Sequence, residues 1–217
     1  MANLKDIRDR IKSVKSIQKV TKAMKMVAAA KMRKAQERME QARPYSNSLS
    51  EIIEHLLPDV DRDSIALLQV RQIKRKAYVV VSADRGLAGA FNTNLLKIAQ
   101  REIDEFGKDQ VDIFCIGKKA RDHFNYRNYN VLESHIDFWA EMEFENAMMI
   151  GRSIVDHFSS GAVDEIHVVY NYFVNIAQQE VRSETLLPLS YDNSENTFSD
   201  RLYEPSKDEI VGALIPR

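Results

Sequence analysis

The stretch LKDIRDRIKSVKSIQKVTKAMKMVAAAKMRKAQERMEQAR, residues 4–43, decides how this chain is built. It contains neither Pro nor Gly, and Ala, Lys, Met, Arg, Gln and Glu dominate it, all strong helix formers. Asn3 stands where an N-cap belongs, and Asp6 sets a negative charge in the first turn against the helix dipole. Leu4, Ile7, Ile11 and Val14 follow the 3-4-3 spacing of a coiled-coil seam. Ile17, Val20, Met24 and Val27 resume it after one three-residue step, which locally overwinds a supercoil. Ala28, Met32, Ala35, Met39 and Ala42 continue the stripe with small or flexible side chains. Pro44 is expected to end or kink the helix, and Ser48 to Leu57 reads as another helical stretch before Pro58. Forty helical residues span about 60 Å, whereas a compact domain made from the remainder would be about 40 Å across. The helix is therefore expected to reach beyond its own domain, and its apolar seam to require a second helix alongside.

The net charge of −1 hides a strong asymmetry. Residues 1–43 hold thirteen Lys/Arg and four Asp/Glu, a net of +9, which leaves −10 for residues 44–217. The basic segment should seek an acidic or carbonyl-rich partner. Nucleic acid is a poor match, because residues 1–43 offer no aromatic side chain for base stacking. Membrane-surface binding by this helix is poorer still, since its apolar edge lacks Trp and Phe. No apolar run approaches the ~18 residues of a membrane span, so no membrane insertion is expected. The amino terminus lacks the apolar core of a secretory signal. The single Cys115, within Val111-Asp112-Ile113-Phe114-Cys115-Ile116, reads as a core residue in a reducing compartment.

The rest of the chain alternates strand and helix. Lys76 to Ser82 is a β-branched run fit for a buried strand. It passes through Asp84-Arg85-Gly86-Leu87-Ala88-Gly89 into an amphipathic stretch from Phe91 to Phe106. Val111 to Ile116 is a second strand, Lys118 to Phe124 a short helix, and Asn130 to Ile136 a third strand. Met142 to Phe158 has a helical pattern, Glu165 to Phe173 reads as a strand, and Gln179 to Leu189 can pair with it as an edge hairpin. The fold class is therefore α/β: a long amino-terminal coiled-coil helix plus a small, Rossmann-like, mostly parallel sheet domain with helices on its faces. The expected division is a helix over 1–57, a linker over 58–75, an α/β domain over 76–190, a loop over 191–204 and the start of a truncated carboxyl-terminal helix over 205–217. Ser206 and Glu209 supply a capping box for that last helix.

Catalytic constellations are mostly rejected. Gly86-Leu87-Ala88-Gly89 follows a strand and opens a helix, but two glycines at that spacing are not the dinucleotide fingerprint. Gly117-Lys118-Lys119 is a phosphate-site lookalike better read as a plain helix entry. His55, His123, His135, His157 and His167 lack metal-ligand spacing, and no serine sits in a nucleophile elbow. No catalytic residue, cofactor or metal is expected. A nucleotide-binding α/β enzyme and a free-standing coiled-coil adaptor are the alternative readings.

Three motifs carry a family resemblance. Ile17 to Arg33, with Lys19-Val20-Thr21-Lys22-Ala23-Met24-Lys25-Met26-Val27 at its centre, closely resembles the gamma subunit of F-type ATP synthase. Val81 to Asn92 and Leu202-Tyr203-Glu204-Pro205 resemble two further family hallmarks, with Ala88 where many members have Cys. The resemblance implies a rotor subunit whose two terminal helices form a coiled-coil shaft within a ring of alpha and beta subunits. The α/β domain would sit near the epsilon subunit and the membrane c-ring, and the nucleotide chemistry would belong to beta. The seam Leu4, Ile7, Ile11, Val14, Ile17 and Val20 would face the partner helix. Met24 and Lys25 would meet the lever segment of beta, and Lys31, Arg33 and Lys34 would continue a basic collar facing acidic loops. Family members continue past the segment matching Leu214 to Arg217, so the second shaft helix is expected to lie outside this chain. The absence of a cysteine-bearing insertion and of a transit segment points to a bacterial protein on the cytoplasmic face of the inner (plasma) membrane.

Overall fold

The computed structural model describes residues 3–57, 65–137, 139 and 144–190. The expected loop over 191–204, the helix start over 205–217 and the Leu202–Pro205 motif lie outside the described residues, as does the first part, 58–64, of the expected linker. Two units divide between Glu54 and His55.

The first unit lies within a single helix, α1, Leu4–Leu56, whose last two residues fall in the second unit. Its start uses half of a capping box, since the Asn3 backbone N–H donates to Asp6 Oδ2 at 3.3 Å. Of the two outcomes expected at Pro44, an end or a kink, the end is not met: the helix runs through that residue, and Ser48–Leu56 is its last part. Proline removes one N–H bond, to the carbonyl four residues back, and crowds that carbonyl. The long uninterrupted run of helix formers before it, within one cooperative helix, outweighs that local cost.

The second unit is built on a five-stranded sheet. Its elements are β1 Lys76–Val81, α2 Phe91–Phe106, β2 Val111–Ile116, α3 Lys118–Tyr126, β3 Val131–His135, α4 Phe144–Ser159, β4 Glu165–Phe173 and β5 Gln179–Leu187. The strand order is β3-β2-β1-β4-β5, with β5 antiparallel and the other pairings parallel. The α/β fold and mostly parallel sheet expected from the alternation are observed.

Period-two burial explains the layering. Tyr78 and Val80 of β1 join Ile113 and Cys115 of β2, Leu95, Ala99 and Ile103 of α2 and Phe124 of α3 in one core cluster. Ala77 and Val79 join Phe114, Ile150, Ile154 and Phe158 in the other, beneath α4. The chain thus winds outward from β1 in both directions, with α2 and α3 covering one face and α4 the other. Cys115 is fully buried in the first cluster, where burial pushes its thiol up to about 12, as expected of a packing residue.

Two polar networks stitch the strand starts together. Asp112, almost fully buried on β2, accepts from Arg75 Nη2 at 2.7 Å, from Asn130 Nδ2 at 2.7 Å and pairs with His157 Nε2 at 3.0 Å. Burial alone would raise the Glu165 carboxyl, but Lys76 Nζ at 2.7 Å and the neighbouring His167 hold it below the usual glutamate range.

Candidate functional site: the long helix and the carboxyl end of the sheet

The seam of α1 is solvent-exposed throughout. Leu4 is 66% exposed, Ile7 49%, Ile11 50%, Val14 58%, Ile17 59% and Val20 58%. A row of aliphatic side chains left in water along a stable helix is a surface waiting for a partner. At about 100° per residue, the stripe holds one side from Leu4 to Ile11, then turns about half way round the helix by Val20. Three consecutive three-residue steps, Ile11 to Val14 to Ile17 to Val20, cause this rotation. Thr21 marks its end, with its hydroxyl donating to the Ile17 carbonyl at 2.9 Å and to Gln18 at 3.1 Å. Leu4 to Ile11 and Val20 to Val27 therefore lie on roughly opposite sides of the helix.

The expected contact residues Met24, Lys25, Lys31, Arg33 and Lys34 are all exposed. Helical spacing brings Met24, Lys31 and Lys34 within about 80° of one another, and places Lys25 and Arg33 on other sides. Arg33 Nε donates to Glu37 Oε1 at 2.9 Å, one turn on, so part of its charge is answered within the helix.

In a doubly wound sheet a ligand would enter at the carboxyl ends of the strands, where the order reverses. Here the part of that end beside β1 and β2, at the start of α3, is filled by the protein's own groups. Gly117 precedes α3 at φ +100, and a Cβ there would lie 2.1 Å from the Ser82 carbonyl oxygen. That close approach delivers the first amides of α3 to β1. The Lys118 N–H donates to Asp84 Oδ1 at 2.8 Å, Lys119 to the Ala83 carbonyl at 3.2 Å, and Ala120 to Ser82 Oγ at 2.8 Å. The other Asp84 oxygen accepts from the Asp137 N–H at 2.9 Å. A carboxylate thus sits where a phosphate would bind a helix terminus. Gly117-Lys118-Lys119 is a helix entry, and this arrangement weighs against the nucleotide-enzyme alternative. The Asp84–Gly89 turn is braced by Asn92, whose Oδ1 accepts from the Ala83 N–H at 3.0 Å.

The described histidines are occupied in packing or pairing. His123 bonds Gln100 at 2.9 Å, and burial beside Arg127 lowers its pKa. His135 pairs with Glu133 at 3.1 Å, and His167 stacks on Tyr78. Sequence reasoning missed the roles of Asp84 and Asp112. A lone acid inside the apolar run Val111–Ile116 was the available signal for the second.

A basic helix of 53 residues with an exposed apolar row, joined to a doubly wound sheet whose α3 terminus is occupied by its own Asp84, defines an assembly subunit rather than a small-molecule enzyme. The family model of ATP synthase matches residues 3–217. ATP synthase gamma chains from Chloroherpeton thalassium, Flavobacterium psychrophilum and Prosthecochloris aestuarii are 40%, 41% and 42% identical to this chain over its whole length. The chain spans 77% of the length of each. The fold resembles a central-stalk chain of the Tetrahymena thermophila mitochondrial ATP synthase, with a TM-score of 0.68 at 20% identity, over 91% of this chain and 86% of that one. A rotor chain of the Euglena gracilis enzyme matches with a TM-score of 0.56 at 20% identity, over 83% and 61% of the two chains. This chain belongs to the ATP synthase gamma chain family.

Proposed function

We propose that this protein is the central-stalk rotor subunit of a proton-transporting ATP synthase. It is non-catalytic, and ATP is made or hydrolysed in the beta subunits. Alpha, beta and epsilon subunits and the membrane c-ring are its partners, and it is a peripheral component placed on the cytoplasmic face of a bacterial plasma membrane.

The observation that carries this reading is the exposed, rotating seam on a helix bearing a large excess of cations. A shaft whose apolar and basic surface differs from side to side touches three equivalent neighbours differently. Differential contact is what can bias otherwise identical subunits toward different nucleotide affinities. Met24, Lys31 and Lys34 are the side chains proposed to face the beta subunits, with Lys25 and Arg33 toward other neighbours.

Reconstitution with alpha and beta subunits tests this. The chain is expected to co-purify with them and to raise their ATPase turnover. Lys31→Glu with Lys34→Glu should weaken assembly by about ten-fold, the scale of a few partly screened charge contacts. A chain that neither co-purifies with the head nor changes its turnover would end the proposal.

A further inference from the structure

The sheet is covered unevenly. α2 and α3 lie on one face, but α4 alone lies on the other. The bonds of α4 run toward β3 and β2: Ser153 Oγ donates to Glu133 Oε1 at 2.5 Å, and His157 Nε2 pairs with Asp112 at 3.0 Å. Over the β4–β5 half of that face, Leu67 packs with Ile166 and Leu187 at the amino-terminal end, and no described helix of this unit lies beyond them. Period-two alternation from Ile166 puts Val168, Tyr170 and Tyr172 of β4 on this bare half. The pairings Val168–Glu184, Tyr170–Arg182 and Tyr172–Glu180 set three β5 side chains beside them. All six are half-buried or exposed.

One flank of α4 supplies a wall. At about 100° per residue, Phe144, Met148, Gly151 and Val155 fall within about 60° of one another, opposite Ser153 and hence toward β4. Val155 packs on the cluster that contains Ile166. Phe144 is 60% exposed, and a Cβ added at Gly151 would meet nothing within 4 Å. Wall and floor make an open groove about as wide as one helix, since two strands span about 10 Å.

The chemistry of the groove selects among occupants. Helices cover both faces of a doubly wound sheet, and a helix is what this half lacks. Phe, Met, Tyr and Arg are the residues enriched at the centres of protein–protein interfaces. α4, β4 and β5 contain no lysine, which leaves an anionic lipid surface without its usual cations. Arg182 lies over the Tyr172 ring at 3.5 Å, with Glu180 and Glu184 at 3.8 Å each, and Tyr170 donates to Glu184 at 3.0 Å. Two carboxylates against one guanidinium leave this rim negative. We propose that the groove takes an amphipathic helix of a partner subunit, its apolar face on Tyr170, Met148 and Gly151 and a lysine or arginine against Glu180 and Glu184.

The proposal rests on the assembly reading, and adds which face meets a partner and what that partner brings. In the full chain, Tyr172→p-benzoylphenylalanine is photoactivated within a complex reconstituted with alpha, beta and epsilon subunits, and mass spectrometry locates the cross-links. They are expected on one subunit at residues three, four or seven apart, the repeat of a helix lying in the groove. Gly151→Trp fills the open space and should raise the Kd for that subunit by about ten-fold or more, whereas Gly151→Ala should bind as the parent does. If no complex forms, the assembly reading fails and this proposal with it. With the complex formed, the proposal alone is overturned by cross-links to a second copy of this chain, by cross-links at adjacent or alternate residues as in a loop or strand, by none at all, or by an unchanged Kd for Gly151→Trp.

Discussion

At the scale of single residues, backbone geometry and buried charge decide most. Gly117 is the residue the fold can least replace, because its left-handed φ and the 2.1 Å approach to the Ser82 carbonyl both exclude a side chain. Gly117→Ala is expected to cost more than about 3 kcal/mol, the range of a severe steric and backbone defect. Urea unfolding followed by circular dichroism reads this directly. Asp164 shows how a surface carboxylate contributes. The N–H groups of Lys74 and Arg75, bonded at 2.8 and 3.0 Å, hold its pKa below the ordinary aspartate value. Its folded pKa lies below its unfolded one, so its contribution is fully present above about pH 4 and fades as pH falls through the lower folded value. Asp164→Asn should therefore lower stability at pH 7 and flatten the acid limb of the stability profile. An unchanged acid limb would show that these two N–H bonds do not favour the charged form.

At the scale of elements, α1 carries its own conformation and its own weakness. Helix formers from Leu4 onward sustain it, and i,i+4 pairs such as Arg33–Glu37 add a few tenths of a kcal/mol each. Pro44 is the flaw, since it lacks the N–H that would reach the Glu40 carbonyl and crowds that carbonyl. Pro44→Ala is expected to stabilise this part of the helix by up to about 3 kcal/mol. Slower amide hydrogen exchange at residues 45–49 is the measurement, and exchange as fast as in the parent chain would contradict it. In the sheet, β1 and β2 are central and buried on both faces, which is why they read as near-continuous apolar runs. β3 and β5 lie at the edges and carry the charged positions Glu133, Glu180, Arg182 and Glu184.

At the scale of the whole molecule, charge is segregated: +9 over residues 1–43 and −10 over the rest. Association of the helix with acidic partners should weaken as ionic strength rises, because exposed charges are screened beyond a Debye length of about 8 Å at physiological salt. Titrating salt into the reconstituted complex is expected to dissociate the parent more steeply than the Lys31→Glu, Lys34→Glu variant. Equal slopes would mean that the apolar seam alone holds the complex.

What the amino-acid sequence determined by itself was whatever is local. The helix from Leu4, the strands from Lys76, Val111 and Glu165 and the helix Phe91–Phe106 follow from periodicity and propensity over a few neighbouring residues. The row of exposed apolar side chains from Leu4 to Val20 was legible for the same reason, since spacing along one helix places them. The helix does not end at Pro44: proline's cost is visible locally, whereas the helix that absorbs it is a cooperative unit of 53 residues. Only the tertiary structure decided the strand order β3-β2-β1-β4-β5, the filling of the α3 terminus by Asp84, and the meeting of Arg75, Asn130 and His157 at Asp112. Side chains separated by dozens of residues meet only after a parallel sheet has aligned its strand ends, and no spacing rule within a short window encodes that alignment.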